Sequence, residues 1–427
     1  MNYSILPSLL ALATFVAIFR SILRQSTSER LDLWFAGWML VLVHFVAQFV
    51  DVGRGPWHHV ATALSWNALE LAGIVFLISV SPKANSRRRQ LLLGGILGIP
   101  AVLYTDAVIW KLSLPAFYIA IVLLALAGIW LLIWRFYRRI TAYVAGLLLA
   151  CLVVAAAMLM AVTRGKPALG IGILLCGLNF AVAVLYLRRF RRASAGVLTT
   201  AGGFLAWGAV FPIGALLDFY GPSVNVESEV WNIPKYFVAV GMILTLFEDQ
   251  IDRSDYLAYH DELTGLPNLR LLLDRMDQAL AHAGRSGHKV AVLLLDLDNF
   301  KEVNDTYGHR IGDLLLQSAV LRLSSRMRES DTLSRSGGDE FTVISEIATP
   351  QGAEVLVSAL KSALSVPFKL EGNIIGASVS IGFALYPDDG ADADSLRAAA
   401  DKAMYIAKRA ARNGTHVELI PPAVPLH

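Results

Sequence analysis

Ser334-Arg335-Ser336-Gly337-Gly338-Asp339-Glu340-Phe341 sets two adjacent glycines between strand-like flanks, Asp331–Ser336 before and Phe341–Ile344 after. That pattern predicts a tight β-hairpin, because such turns need positive φ at the tip and glycine adopts it without steric cost. Two carboxylates follow at once, so the hairpin holds acidic oxygens at an exposed, rigid edge. Adjacent carboxylates repel each other and gain little from packing. A hard cation such as Mg²⁺ would give them a reason to be there.

Working outward, Val290–Leu295 is a continuous apolar run that suits a central strand buried on both faces, with Asp296 at its end. Helical patterns cover Gly312–Arg328, Gln351–Leu364 and Asp394–Ala411. Ile374–Leu385 reads as a strand and His416–Leu419 as a closing strand. Helices alternating with strands around a hairpin predict an α+β sandwich.

Three further motifs accompany the hairpin. Asp261-Glu-Leu-Thr-Gly-Leu-Pro-Asn268 lies upstream, followed by Asp296-Leu-Asp-Asn-Phe-Lys-Glu-Val-Asn-Asp-Thr-Tyr-Gly-His309. Asp401-Lys-Ala-Met-Tyr-Ile-Ala-Lys408 lies downstream. In this order the chain from about residue 259 to 420 resembles the GGDEF family of diguanylate cyclases, which join two GTP molecules into cyclic di-GMP. The resemblance implies a palm-like, ferredoxin-related sheet flanked by helices, a homodimer holding one GTP per half-site, and Mg²⁺ or Mn²⁺ as cofactor. Two positions depart from the family pattern: Leu269 stands where Arg is frequent, and Ala411 where Gly is usual before Arg412-Asn413.

Asp296 and Asp339 are the natural metal pair, and the resemblance adds the backbone carbonyl of Leu297. A regular strand would turn Asp339 and Glu340 to opposite faces. Asp339 is therefore assigned as metal ligand and Glu340 as the helper near the attacking hydroxyl. Asp298 shares the parity of Asp296 but could serve only as a local hydrogen-bond acceptor. Guanine presents N1–H and N2–H₂ donors, which suit a carboxylate and an amide. By resemblance these are Asp313 and Asn304, with His309 nearby, although Asp313 would equally suit a helix N-terminus. Lys408 and Arg412, at i and i+4, match family positions that hold the β- and γ-phosphates; in isolation they also describe a solvated basic face. Backbone groups of Phe300 and Lys301 are phosphate donors by the same resemblance. Arg328-Glu329-Ser330-Asp331 resembles the family's RxxD inhibitory site, which implies feedback by cyclic di-GMP through Arg328 and Asp331.

The first half is of another kind. The 427 residues are 56% hydrophobic and 17% charged, and the mean hydropathy is +0.55. The excess is concentrated before residue 250, where a window of ~20 residues resolves repeated apolar runs. They lie near Ser4–Leu23, Leu31–Val50, Val60–Val80, Leu91–Trp110, Ala116–Trp134, Thr141–Thr163, Ala168–Leu187, Val197–Leu217 and Ile233–Phe247. Pro100 and Asp106 interrupt the fourth. Arg24 with Arg30, Lys83 with Arg87–Arg89, Arg135 with Arg138–Arg139, and Arg188–Arg189 with Arg191–Arg192 fall in alternate loops. By the positive-inside rule those loops are cytoplasmic, which predicts nine helices, an outer N-terminus and a cytoplasmic C-terminal domain. The first run has no small-residue cleavage site before Arg20 and reads as a retained span. The fold class is thus an α-helical polytopic membrane domain plus a cytoplasmic α+β GGDEF domain, placed by resemblance in the bacterial inner membrane.

The predicted organisation is a transmembrane region at 1–249, a short helical linker at 250–258, the GGDEF domain at 259–420 and a tail at 421–427. Leu244, Phe247, Ile251 and Ala258 sit at heptad-like intervals, so the linker is either an extension of the last span into a dimer or an amphipathic helix on its own domain. Within the spans, His44, Gln48 and Asp51 share one face, and Asn67 and Glu70 share another. Polar groups at membrane depth invite a sensing role; the plainer alternative is pairing between helices, with Asp51, His58 and His59 at a membrane surface. The net charge of +3, with no basic run interleaved with aromatics, gives no sign of nucleic-acid binding. Cys151 and Cys176 form no metal-ligand spacing. Two other readings stand beside the cyclase. One is a catalytically silent GGDEF receptor of nucleotide, and the other a transporter with a regulatory GGDEF domain.

Overall fold

A computed structural model of the chain describes residues 3–24, 29–51, 53–81, 84, 86–136, 141–190, 193–220, 230–347 and 349–412. The chain divides into two compact units, Met1–Gln250 and Ile251–His427. The expected strand at His416–Leu419 lies outside the described residues, as do Lys83, Arg138, Arg139, Arg191 and Arg192 of the basic loops.

The first unit is helical. Its helices are α1 (Leu6–Leu23), α2 (Glu29–Val50), α3 (Pro56–Val80), α4 (Arg87–Ile109), α5 (Pro115–Phe136), α6 (Ala142–Thr163), α7 (Ala168–Arg189), α8 (Ala195–Tyr220) and α9 (Ile233–Tyr259). Among the described residues, eight are long and apolar enough to cross a membrane, and Leu6–Ile22 is a shorter apolar helix. α4 runs unbroken through Pro100, which removes one backbone donor but is tolerated where neighbouring helices pack. The core is aromatic: Trp38 packs against Phe19 and Phe76, and Phe76 against Phe204. α9 continues past residue 250 to Tyr259 as one helix, so the predicted linker at 250–258 is helical, and Ile251, Tyr256 and Leu257 on it are exposed.

The second unit continues with α10 (Leu269–Ser286), β1 (Lys289–Leu297), α11 (Phe300–Tyr307), α12 (His309–Ser324), β2 (Thr332–Gly337) and β3 (Glu340–Ile347). It ends with α13 (Pro350–Ser365), β4 (Phe368–Leu370), β5 (Asn373–Ile375), β6 (Val379–Tyr386) and α14 (Ala393–Arg412). The main sheet has the order β2-β3-β1-β6, with every pairing antiparallel. β1 is interior and its alternation serves two cores. Ala291, Leu293, Leu295 and Leu297 join residues of α12 and α13, while Val290 and Val292 join residues of α10 and α14. This is why a continuous apolar run was needed.

One strand expectation is corrected. Ile374–Leu385 is not a single strand: β5 pairs only with β4 in a separate two-stranded sheet, and β6 begins at Val379 in the main sheet. Gly376–Ser378 separates them, and a glycine inside an apolar run is a frequent mark of such a break.

Candidate active site

Parity along β1 positions the acidic cluster. Asp296 has the even parity of Val290 and Val292, so it faces the α14 side at the C-terminal end of the strand. Its cross-strand partner is Glu340, the first residue of β3. Phe341, next along, packs into the opposite core, which fixes Glu340 on the face of Asp296. Asp339 occupies the hairpin turn, and its backbone carbonyl accepts from Leu297 N at 3.3 Å. Gly337 at φ 149° and Gly338 at φ 55° make that turn, as the glycine pair predicted.

Lys408 reaches this cluster from α14, with Nζ donating to Asp296 Oδ1 at 2.7 Å. Asp296 itself is only 7% exposed. Asp339 has its pKa raised by burial and then by the Asp296 charge, which Lys408 and Arg335 offset in part. Glu340 is raised by burial and by the charges of Asp296, Asp339 and Asp401. Asp296, Asp339 and Glu340 share one small region with Asp401 acting on it, and Lys408 and Arg335 offset part of the charge.

Among the described residues no group of three His, Cys, Asp or Glu side chains is placed to cage a metal. The oxygen donors brought together here are the Asp296 and Asp339 carboxylates. Mg²⁺ keeps several waters and is commonly held by one or two carboxylates with substrate phosphates, so the set suits such an ion. The Lys408 ammonium, seated on Asp296, is a positive charge at the place where an ion would sit.

The position of Lys408 depends on a close approach. A Cβ at Gly382 would lie 2.0 Å from Met404 N and 2.4 Å from Ala400 O. β6 therefore meets the α14 backbone directly, and Lys408 follows Met404 by one turn. Arg412 closes α14, and its side chain lies outside the described residues.

A second group lies on α11 and α12. A Cβ at Gly312 would fall 1.9 Å from Asn304 Oδ1 and 3.3 Å from Phe300 Cζ. Gly312 thus lets the Asn304 amide cross the start of α12, next to exposed Asp313. His309 is exposed at the first residue of α12, and Phe300 and Lys301 open α11 after Asn299 in the left-handed conformation. The structure therefore brings Asn304, His309 and Asp313 to one helix junction, and Asp296, Asp339, Glu340 and Lys408 to one sheet end.

Asp298 has a local role. Its carboxylate accepts from Ser378 Oγ at 2.7 Å and Ser380 Oγ at 2.6 Å, and so ties β1 to the entry of β6. Arg328 and Asp331 form a turn: Arg328 N donates to Asp331 Oδ2 at 2.8 Å, and Ser345 Oγ donates to Asp331 Oδ1 at 2.8 Å. The Arg328 side chain is exposed.

Asp261 and Arg335 stood within the quoted motifs without an assigned role. Arg335 Nη1 donates to both Asp261 oxygens at 2.9 and 3.0 Å, and its Nε and Nη2 both donate to Gly338 O. The charge signs were readable beforehand; what sequence could not show is that the two motifs meet.

Residues 258–414 match the family model "Diguanylate cyclase, GGDEF domain", and this part of the chain is a GGDEF domain. The bifunctional diguanylate cyclase/cyclic di-GMP phosphodiesterase MucR of Pseudomonas aeruginosa is 35% identical over 278 residues, covering 58% of this chain and 41% of that protein. The diguanylate cyclase TpbB of the same species is 39% identical over 170 residues, covering 39% of each chain. A crystal structure of the TpbB GGDEF domain has 38% identity and a TM-score of 0.34, covering 34% of this chain and 92% of that one. The chain spans less than half the length of the first curated relatives it matches.

Proposed function

We propose that the protein is a membrane-anchored diguanylate cyclase. The observation that carries this reading is the convergence of Asp296, Asp339, Glu340 and Lys408 at the end of β1 within a GGDEF domain. In each of two equivalent steps, the 3′-hydroxyl oxygen of one GTP forms a bond to the α-phosphorus of the other. The α–β phosphoanhydride bond breaks, pyrophosphate leaves, and the hydroxyl proton is released. Two such steps close cyclic di-GMP.

Catalysis of this kind rests on positioning and on neutralising charge. Asp296, Asp339 and the Leu297 carbonyl would hold Mg²⁺ or Mn²⁺, which when bound supplies charge neutralisation at the phosphates. Glu340, whose pKa is raised, accepts the proton of the attacking hydroxyl. Asn304 and Asp313 take the guanine edge with His309 beside them, and the backbone at Phe300 and Lys301 meets the phosphates. Lys408 exchanges its Asp296 contact for the β- and γ-phosphates, joined by Arg412. A homodimer brings two GTPs face to face, and Arg328 with Asp331 binds product to slow the enzyme. The helical half anchors the domain in a cytoplasmic membrane through nine spans at 1–249. The helix at 250–258 then joins it to the catalytic domain at 259–420, on the GTP side of the membrane.

The test is product analysis by mass spectrometry. Full-length protein in lipid nanodiscs is incubated with GTP and Mg²⁺, beside a Glu340→Ala control. Cyclic di-GMP that vanishes in the control supports the reading. GTP binding without product in the wild type favours the silent receptor instead, and neither binding nor product overturns the nucleotide assignment.

A further inference from the structure

Between α3 and α4 the membrane unit buries a polar cluster that the cyclase does not use. Asn67 Nδ2 donates to Asp106 Oδ1 at 2.8 Å, and Thr105 Oγ1 donates to Glu70 Oε1 at 2.7 Å. Asn67 and Glu70 are three residues apart on α3, so they share one face. Glu70 lies mid-helix and is completely buried.

The cluster has more acceptors than donors. Glu70 Oε2 and Asn67 Oδ1 are both buried and have no hydrogen-bond partner. The orientation of the Asn67 amide is set, since its nitrogen is committed to Asp106. Two oxygens carrying negative charge or partial charge are therefore left buried without a partner, where an unpaired polar atom is costly and a charged one more so. Asp106 adds a second carboxylate that acts on Glu70 electrostatically. Among the described residues, no Lys, Arg or His lies within ion-pair distance of either acid.

We propose that Glu70, Asn67, Thr105 and Asp106 bind a monovalent cation of sodium's type within the membrane unit. The ligands offered are a carboxylate oxygen, an amide oxygen and a hydroxyl oxygen, the hard donors that such an ion takes. The charge argues for one positive charge rather than two. Glu70 offers a buried carboxylate oxygen without a partner, while Asp106 is partly exposed, so that water screens its charge. Asp106 lies one turn from the end of α4 opposite Arg87–Arg89, and hence toward the outer side if the arginine-rich ends are cytoplasmic.

The experiment is binding of radioactive sodium to the full-length protein in nanodiscs, with choline chloride holding ionic strength constant. The site predicts saturable sodium binding that weakens as pH falls, because a proton competes for Glu70. The titratable groups acting on Glu70 are Asp106 and Tyr104 from α4. On α2 and α7 the buried titratable side chains are His44, bonded to Ser65, and Tyr186, bonded to Thr245. Glu70→Gln is expected to abolish binding, and sodium is expected to raise the wild-type melting temperature by about 2–4 °C near tenfold saturation. No saturable binding by the wild type at any pH would overturn the proposal and leave a proton-only site. Binding indifferent to pH, or retained in folded Glu70→Gln, would overturn it as well. If Glu70→Gln does not fold, the wild-type sodium and pH dependence decides alone. None of these readouts depends on cyclase activity.

Discussion

Lys408 and Asp296 are joined by a 2.7 Å hydrogen bond between residues 112 positions apart, linking the last helix to the end of the central strand. The bond puts an ammonium among the carboxylates of Asp296, Asp339 and Glu340. Charge-assisted hydrogen bonds of this type contribute about 1.5–3 kcal/mol. Lys408→Met is therefore expected to lower turnover of GTP by roughly ten- to a hundredfold. The loss should appear in kcat/KM, measured by product chromatography, while the variant still folds. Activity within twofold of wild type would remove Lys408 from the phosphate-holding role.

Glu340 carries the opposite sign of consequence. Burial and neighbouring acids raise its pKa, so folding favours the protonated carboxyl. The resulting penalty is absent below the unfolded pKa, grows as pH rises through the raised folded value, and persists above it. Glu340→Gln removes that penalty at neutral pH. It is expected to abolish product formation yet melt at a temperature equal to or above wild type, and the gap should narrow as pH falls and close below the unfolded carboxyl value of about 4.3. A clear drop in melting temperature at neutral pH would contradict this account of the cluster.

The sheet end was legible because its signals are local. Paired glycines dictate the turn, and the apolar run Val290–Leu295 demands burial on both faces; that the acids after each emerge together follows from the β1–β3 register. The separation of β5 from β6 was not legible, since Ile374–Leu385 is apolar on both sides of Gly376 and only the partner strand β4 reveals the break. The membrane polar groups divided similarly. His44, Asn67 and Glu70 were visible as polar residues in spans, but their partners Ser65, Asp106 and Thr105 depend on helix packing. Each of those three has a partner on a neighbouring helix, while Asn67 and Glu70 each keep one oxygen without one.

Arg335 fastens the hairpin turn to the Asp261 loop through four hydrogen bonds, and its side chain is 11% exposed. Burial pushes the Asp261 carboxyl up, but hydrogen bonds from Thr264 and Arg335 outweigh it and hold the pKa below the usual value. A depressed carboxylate stabilises fully above its unfolded pKa of about 4 and loses that contribution as pH falls through the folded value. Arg335→Lys cannot form the bidentate pair. Hydrogen exchange of the full-length protein should rise at Gly337–Glu340, by about tenfold or more, equally at neutral and mildly alkaline pH. Unchanged exchange would show that the turn holds without this arginine.

Gly382 tests whether α14 and the sheet end form one device. A Cβ there would stand 2.0 Å from Met404 N, a backbone atom that cannot rotate aside. Overpacking of this kind costs about 1–3 kcal/mol, and relief requires α14 to move away from β6, carrying Lys408 off Asp296. Gly382→Ala is expected to lower the melting temperature and to cut turnover at least tenfold, without contacting substrate. Gly376→Ala is the control, because a Cβ there meets nothing within 4 Å and its backbone is not left-handed. That substitution should leave both readouts near wild type. If Gly382→Ala loses stability but keeps full turnover, Lys408 reaches its working position without the close seat of α14 on β6. If it keeps both, the packing at this crossing yields more easily than its distances indicate.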